Sequence, residues 1–64
     1  MRRDRRVRVR IAPEGWRVWS SSGREATITQ DGARFTLRSY PGGRPIAVSR
    51  YWHRVAAYAR ERYR

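Results

Sequence analysis

The segment TITQDGARFTL (residues 27–37) constrains the fold of this chain more than any other. Apolar and polar residues alternate on both sides of an Asp-Gly pair, the pattern of two half-buried strands joined by a tight turn. With Asp31 and Gly32 as the two turn residues, Gln30 pairs with Ala33, Thr29 with Arg34, Ile28 with Phe35, Thr27 with Thr36, Ala26 with Leu37 and Glu25 with Arg38. Ala26, Ile28, Phe35 and Leu37 then make one apolar face. Glu25, Thr27, Thr29, Arg34, Thr36 and Arg38 make the other, with an opposite-charge pair and a threonine pair across the strands. A slip of one residue would mix the two faces.

The same period of two runs upstream. Arg6, Val7, Arg8, Val9, Arg10 and Ile11 alternate strictly, and β-branched residues favour a strand. Val7, Val9 and Ile11 are expected to face inward and Arg6, Arg8 and Arg10 outward. Pro13 and Gly15 suit a tight turn. Residues 16–20 read as the second strand of this hairpin, with Trp16 and Val18 on one face and Arg17 and Trp19 on the other. The run SSSG (residues 20–23) is a loop.

Two prolines and two glycines in YPGGRP (residues 40–45) interrupt the pattern. Residues 46–48 read as a short fifth strand or a docked linker. Ser49 is a plausible helix N-cap, and helical periodicity covers 49–63. Tyr51, Trp52, Val55, Ala56, Tyr58, Ala59 and Tyr63 fall on one arc; Arg50, His53, Arg54, Arg60, Glu61 and Arg64 fall on the rest. A helix this short needs a surface to pack on, and the apolar sheet face is the candidate.

The expected fold is therefore α+β: a small antiparallel sheet of two hairpins packed against one C-terminal helix, with the fifth strand able to close it into a small barrel. A basic arm covers 1–5 and a single domain covers 6–64. The expected core is Val7, Val9, Ile11, Trp16, Val18, Ala26, Ile28, Phe35, Leu37, Trp52, Val55, Ala56 and Ala59.

Composition bounds the rest. A chain of 64 residues holds one domain at most and buries little. Without cysteine no disulfide can reinforce it, and no His/Cys cluster suggests a structural metal or cofactor. Formal net charge is +11, and all sixteen basic residues are arginine. Self-repulsion at this charge favours a polyanionic partner. Arginine presents a planar fork that matches phosphates and guanine edges. The five acids are scattered and His53 lies on the polar side of the helix, so neither an enzyme nor a small-molecule substrate is expected. No apolar run approaches the ~20 residues of a membrane span. The charged start is followed by no apolar stretch, so no secretory signal is expected. The expected setting is cytoplasmic, and nucleoid-associated if the protein is cellular.

The sheet face that avoids the helix carries Arg6, Arg8, Arg10, Arg17, Trp19, Thr27, Thr29, Arg34, Thr36 and Arg38. Arginine and threonine can bond phosphates and base edges, and an indole can stack on a base or wedge into a base step. This face is the expected nucleic-acid-binding surface, with duplex DNA favoured over RNA and a regulatory or architectural role. Arg2, Arg3, Arg5, Arg50 and Arg54 are expected as secondary phosphate contacts. The competing reading is a protein-binding module or inhibitor docked on an acidic surface of a nucleic-acid-processing machine. Tyr51, Tyr58 and Tyr63 would then serve a protein partner or a homodimer.

In element order the chain resembles the sheet-reading DNA-binding domains at the N-termini of some tyrosine recombinases, three strands followed by a helix. It is also similar to small archaeal chromatin proteins, whose five-stranded barrel is capped by a C-terminal helix. The likeness is one of element order; neither family's residue motifs occur here.

Overall fold

The computed structural model describes residues 6–40 and 43–63. The expected arm over 1–5, with Arg2, Arg3 and Arg5, lies outside the described residues, as does Arg64. Five strands follow one another: β1 (Val7–Ala12), β2 (Gly15–Ser20), β3 (Glu25–Asp31), β4 (Arg34–Ser39) and β5 (Pro45–Ser49). The helix α1 (Trp52–Arg62) closes the chain. The strands form one antiparallel meander in sequence order. The α+β class and the fifth strand are as expected from sequence. Barrel closure is not: β1 and β5 remain the two edges of an open sheet. The helix contacts both edge strands and β4, and so occupies the space across which β1 and β5 would have to meet.

Period-two alternation fixes which side chains meet the helix. Val18, Ala26, Ile28 and Leu37 are fully buried from the sheet, and Val55, Ala56, Ala59 and Tyr63 from the helical segment and its end. Those last four positions, with half-buried Trp52, follow the spacing of a single helix stripe. Three of the eight buried residues are alanines. Small side chains let the helix backbone approach the sheet, at the cost of apolar area. Trp16 extends the core toward the start of the helix, its ring 5.7 Å from Phe35 and 5.6 Å from Trp52.

The β3–β4 register differs from the sequence expectation by two residues. Asp31 pairs with Arg34, Thr29 with Thr36, Ile28 with Leu37 and Thr27 with Arg38. The central turn residues are Gly32 and Ala33. Gly32 takes φ +61° while Ala33 does not take positive φ, the arrangement of a turn with glycine first. Asp31 stays in the strand, where its carboxylate accepts a hydrogen bond from the Thr36 hydroxyl at 3.4 Å. A shift of two keeps every side chain on its expected face. At the other hairpin, Pro13 and Glu14 form the turn between Ala12 and Gly15. Gly15 has φ +141°, and a Cβ there would collide with the carbonyl oxygen of Ile28.

Two further expectations are corrected. Ile11, expected in the core, is 86% exposed. It is next to last in an edge strand, opposite Trp16, whose ring packs on Phe35 and Trp52. The helix starts at Trp52 with Tyr51 as N-cap, not at Ser49. Ser49 ends β5, and its Oγ accepts the Tyr51 N–H at 3.1 Å, making a local turn before the helix begins. β5 also carries an irregularity. Leu37 pairs with Ala47 but Arg38 with Pro45, which leaves Ile46 as an extra residue packed against the core.

Burial sets the order of mutational effects. Ile28→Ala or Leu37→Ala is expected to cost about 2–5 kcal/mol, most of the stability of a domain this small. Ile11→Ala is expected to stay within about 0.5 kcal/mol. Urea denaturation of the three variants checks the order; an Ile11 variant as unstable as the other two would contradict the burial described.

Candidate nucleic-acid interface

Register parity carries Arg8, Arg10, Arg17, Trp19, Thr27, Thr29, Arg34, Thr36 and Arg38 to the face opposite the helix. Cross-strand rows can be read directly. One runs Arg10, Arg17, Thr27, Arg38 and Pro45 from β1 to β5. The next holds Arg8, Trp19 and Glu25, extended by Tyr40, whose N–H donates to the Glu25 carbonyl at 3.2 Å. A third pairs Thr29 with Thr36 and Val48.

This face is not uniformly open. Thr27 is 6% exposed and Thr36 is 5% exposed. Each is a short side chain on a central strand: Thr27 sits between Arg17 and Arg38, and Thr36 between Thr29 and Val48. Neither presents a hydroxyl to a large ligand, which corrects their expected role as contacts. Thr29 and Arg38 are half-buried, Arg34 is exposed beside the β3–β4 turn, and Arg6, Arg8 and Arg10 are exposed along β1.

Arg17 is also removed from the open surface. Its guanidinium carbon lies 3.9 Å from the centroid of the Tyr40 ring and 5.7 Å from that of Trp19. Glu14 approaches its Nε at 3.8 Å, and Glu25 an Nη at 3.9 Å. Hydrogen bonding to Tyr40 is the largest cause holding the Arg17 pKa above its ordinary value, and the nearby Tyr40, Glu14 and Glu25 add to it against the cost of burial. Arginine is charged throughout the accessible pH range, so the shift reports a cation stabilised by its surroundings and not a titration. Arg17 is therefore an internal anchor of this face, with a tyrosine, an indole and two carboxylates around it.

With Arg17 engaged, the accessible cations nearest Trp19 are those of β1. Arg6, Arg8, Arg10, Trp19, Ser20 and Ser21 line an open groove of about 400 Å³. Strand geometry places Arg6, Arg8 and Arg10 on one side of β1 at intervals of about 6.6–6.8 Å. Arg8 stands directly across from Trp19. Neither Arg8 nor Arg10 has an ion-pair or ring partner among the described residues. The loop at the end of the groove is held by Ser20, whose N–H donates to the Arg24 carbonyl at 3.0 Å and whose Oγ accepts the Arg24 N–H at 3.2 Å. The Ser21 N–H donates to the Arg6 carbonyl at 3.1 Å, tying that loop to β1.

The sequence placed Arg6, Arg8, Arg10 and Trp19 together, and the structure gathers them in one groove. Tyr40, Ser20 and Ser21 were not anticipated. Carrying the β4 alternation two residues past Arg38 would have put Tyr40 on this face; nothing in the residue pattern marks the two serines. On the helix, Arg50 and Arg54 are exposed, and the Arg54 guanidinium carbon lies 5.6 Å from the Tyr51 ring centroid. Tyr51 and Tyr58 are also exposed, at 49% and 44%. Tyr63, expected beside them as a partner residue, is 3% exposed and covered by Arg24, whose guanidinium carbon is 4.9 Å from its ring. Its aromatic ring serves the core, so it drops out of any partner surface.

Among the described residues no helix is long and apolar enough to cross a membrane. No protein-family model, curated protein or solved structure matched the chain, and the likenesses noted above rest on element order alone.

The two kinds of arginine separate on mutation. Arg17→Ala is expected to lower the thermal midpoint, whereas Arg8→Ala and Arg10→Ala leave it unchanged or raise it by relieving repulsion. Tyr40→Ala should lower it too, and the double variant should lose less than the sum of the singles. Additive losses in that cycle would show that Tyr40 and Arg17 do not act as a unit.

Proposed function

We propose that this is a small nucleic-acid-binding protein, a DNA-binding one in the first instance, acting through the arginine-bearing sheet face in a regulatory or architectural role. The observation that carries the reading is the groove on that face, where Arg6, Arg8 and Arg10 stand in a row beside a half-buried Trp19. Guanidinium groups on one strand edge supply charge-assisted bonds to phosphate. The indole adds an apolar, flat contact that phosphate alone does not use. The net charge of +11 adds attraction at long range, which salt screens.

The protein-partner reading keeps a narrower footing in the two exposed helix tyrosines, Tyr51 and Tyr58. An acidic protein surface would meet the same arginines, but its binding would not follow counterion release from a phosphate chain.

Salt separates the two. On duplex DNA, binding should weaken linearly in log–log with a slope of about −0.9 per phosphate neutralised, so about −3 or steeper for three or more arginines. Removing Arg8 or Arg10 should weaken binding across sequences and make the slope shallower by about one. Fluorescence anisotropy at several salt concentrations reads both. A slope near zero, or variants that bind like the parent, would defeat the proposal.

A further inference from the structure

We infer that the β1 groove takes single-stranded nucleic acid, with an unstacked base lying on the Trp19 indole and the adjoining phosphates held by Arg8 and Arg10. The inference rests on the nucleic-acid reading above and adds the form in which the strand is bound.

Four features favour a single strand over a duplex. The broad face that a duplex groove would accept has lost its centre: Thr27 and Thr36 are buried, and Arg17 is spent on Tyr40, Glu14 and Glu25. The continuous line of exposed cations on this face runs along one edge strand; Arg34 is exposed apart from it, beside the β3–β4 turn. Successive outward arginines lie about 6.6–6.8 Å apart on such a strand, close to the separation of successive phosphates in an extended polynucleotide. The groove of about 400 Å³ matches a small-ligand site, roomy enough for one nucleotide. Finally, the indole needs a flat counterpart. A single strand offers exposed base faces to it; a duplex keeps its bases stacked on one another.

The surroundings of Trp19 support this role. Glu25 flanks it on β3 and Arg17 approaches its ring from two residues back along β2. These neighbours brace the indole on the sheet side, and the groove lies on the Arg8 side. Arg8, level with Trp19, and Arg10, one outward position further along β1, are then placed to hold successive phosphates beside the stacked base. Stacking is tolerant of base identity, because every base has a π-face. The site is therefore a strand-binding subsite with little sequence preference.

The test compares an oligothymidylate, the matching oligouridylate and a hairpin duplex, each of about 12 nucleotides of strand, at one moderate salt concentration. The expected result is tighter binding of the single strands than of the duplex. Trp19→Ala should weaken single-strand binding by roughly 5- to 100-fold and leave the salt slope unchanged, while Trp19→Phe retains part of the affinity. Trp19 belongs neither to the fully buried core cluster nor to the half-buried residues packed against it, and a thermal melt checks that the variants fold. The parent protein supplies an independent readout. Irradiating its complex with bromouracil-substituted single strand should crosslink Trp19 and not Trp16 or Trp52. Equal binding of the two single-stranded probes supports recognition of base and phosphate alone; a preference for one also supports the site and identifies its natural strand. Duplex bound as tightly as single strand, or crosslinks away from Trp19, overturns the inference and leaves the nucleic-acid reading standing. Failure to bind all three probes removes both.

Discussion

The structure depends on a small contact between sheet and helix. Val18, Ala26, Ile28 and Leu37 meet Val55, Ala56, Ala59 and Tyr63, and no disulfide adds to them. Every strand contributing to this contact must present one apolar side, and strand geometry then commits its other side to the opposite face. The arginines of β1, β2 and β4 stand where they do because Val9, Val18 and Leu37 stand where they do. Gly15 is part of the same constraint. It lets the start of β2 press against the carbonyl of Ile28, a spacing no Cβ would permit.

Charge is managed differently at the centre and at the margin of the sheet. Arg17 sits mid-sheet on a central strand, and it is surrounded by Tyr40, Trp19, Glu14 and Glu25. The cation lies over an electron-rich ring and near two carboxylates, which offsets part of the water it has lost, although its Nε is buried without a hydrogen-bond partner. Arg8 and Arg10 have no ion-pair or ring partner among the described residues and are exposed on β1. One residue type thus serves two purposes. At the centre it is structural filling with its charge engaged by Tyr40, Glu14 and Glu25. On β1 it is unspent charge, and it stands next to the one indole of the outer face.

Much of this was legible in the sequence. Period two gave both hairpins and their faces, the helix stripe gave Val55, Ala56 and Ala59, and the Arg and Trp of the outer face were assigned to their side. The errors have physical reasons. The Asp-Gly pair predicts a turn with positive φ at both residues, but Gly32 alone takes positive φ, and the turn is Gly32 and Ala33. Faces survived because the register moved by two. Ile11 obeyed the alternation, yet alternation says nothing about how far a helix reaches across an edge strand. Burial of Thr27 and Thr36 depends on the size of neighbours on adjacent strands, which single-strand patterning cannot see. The contact between Arg17 and Tyr40 joins strands that are not adjacent, and only the assembled sheet brings them together.

The open edge of β1 has a consequence of its own. An edge strand presents unpaired amide and carbonyl groups to any other chain with a matching edge. β5 is guarded by Pro45 and by the extra residue at Ile46; β1 has no such obstacle and relies on its guanidinium row. A second copy approaching edge to edge would bring an identical row alongside, and like charge would turn it away. An anion settled on Arg8 and Arg10 would lift that repulsion and leave the backbone of β1 open to a second strand.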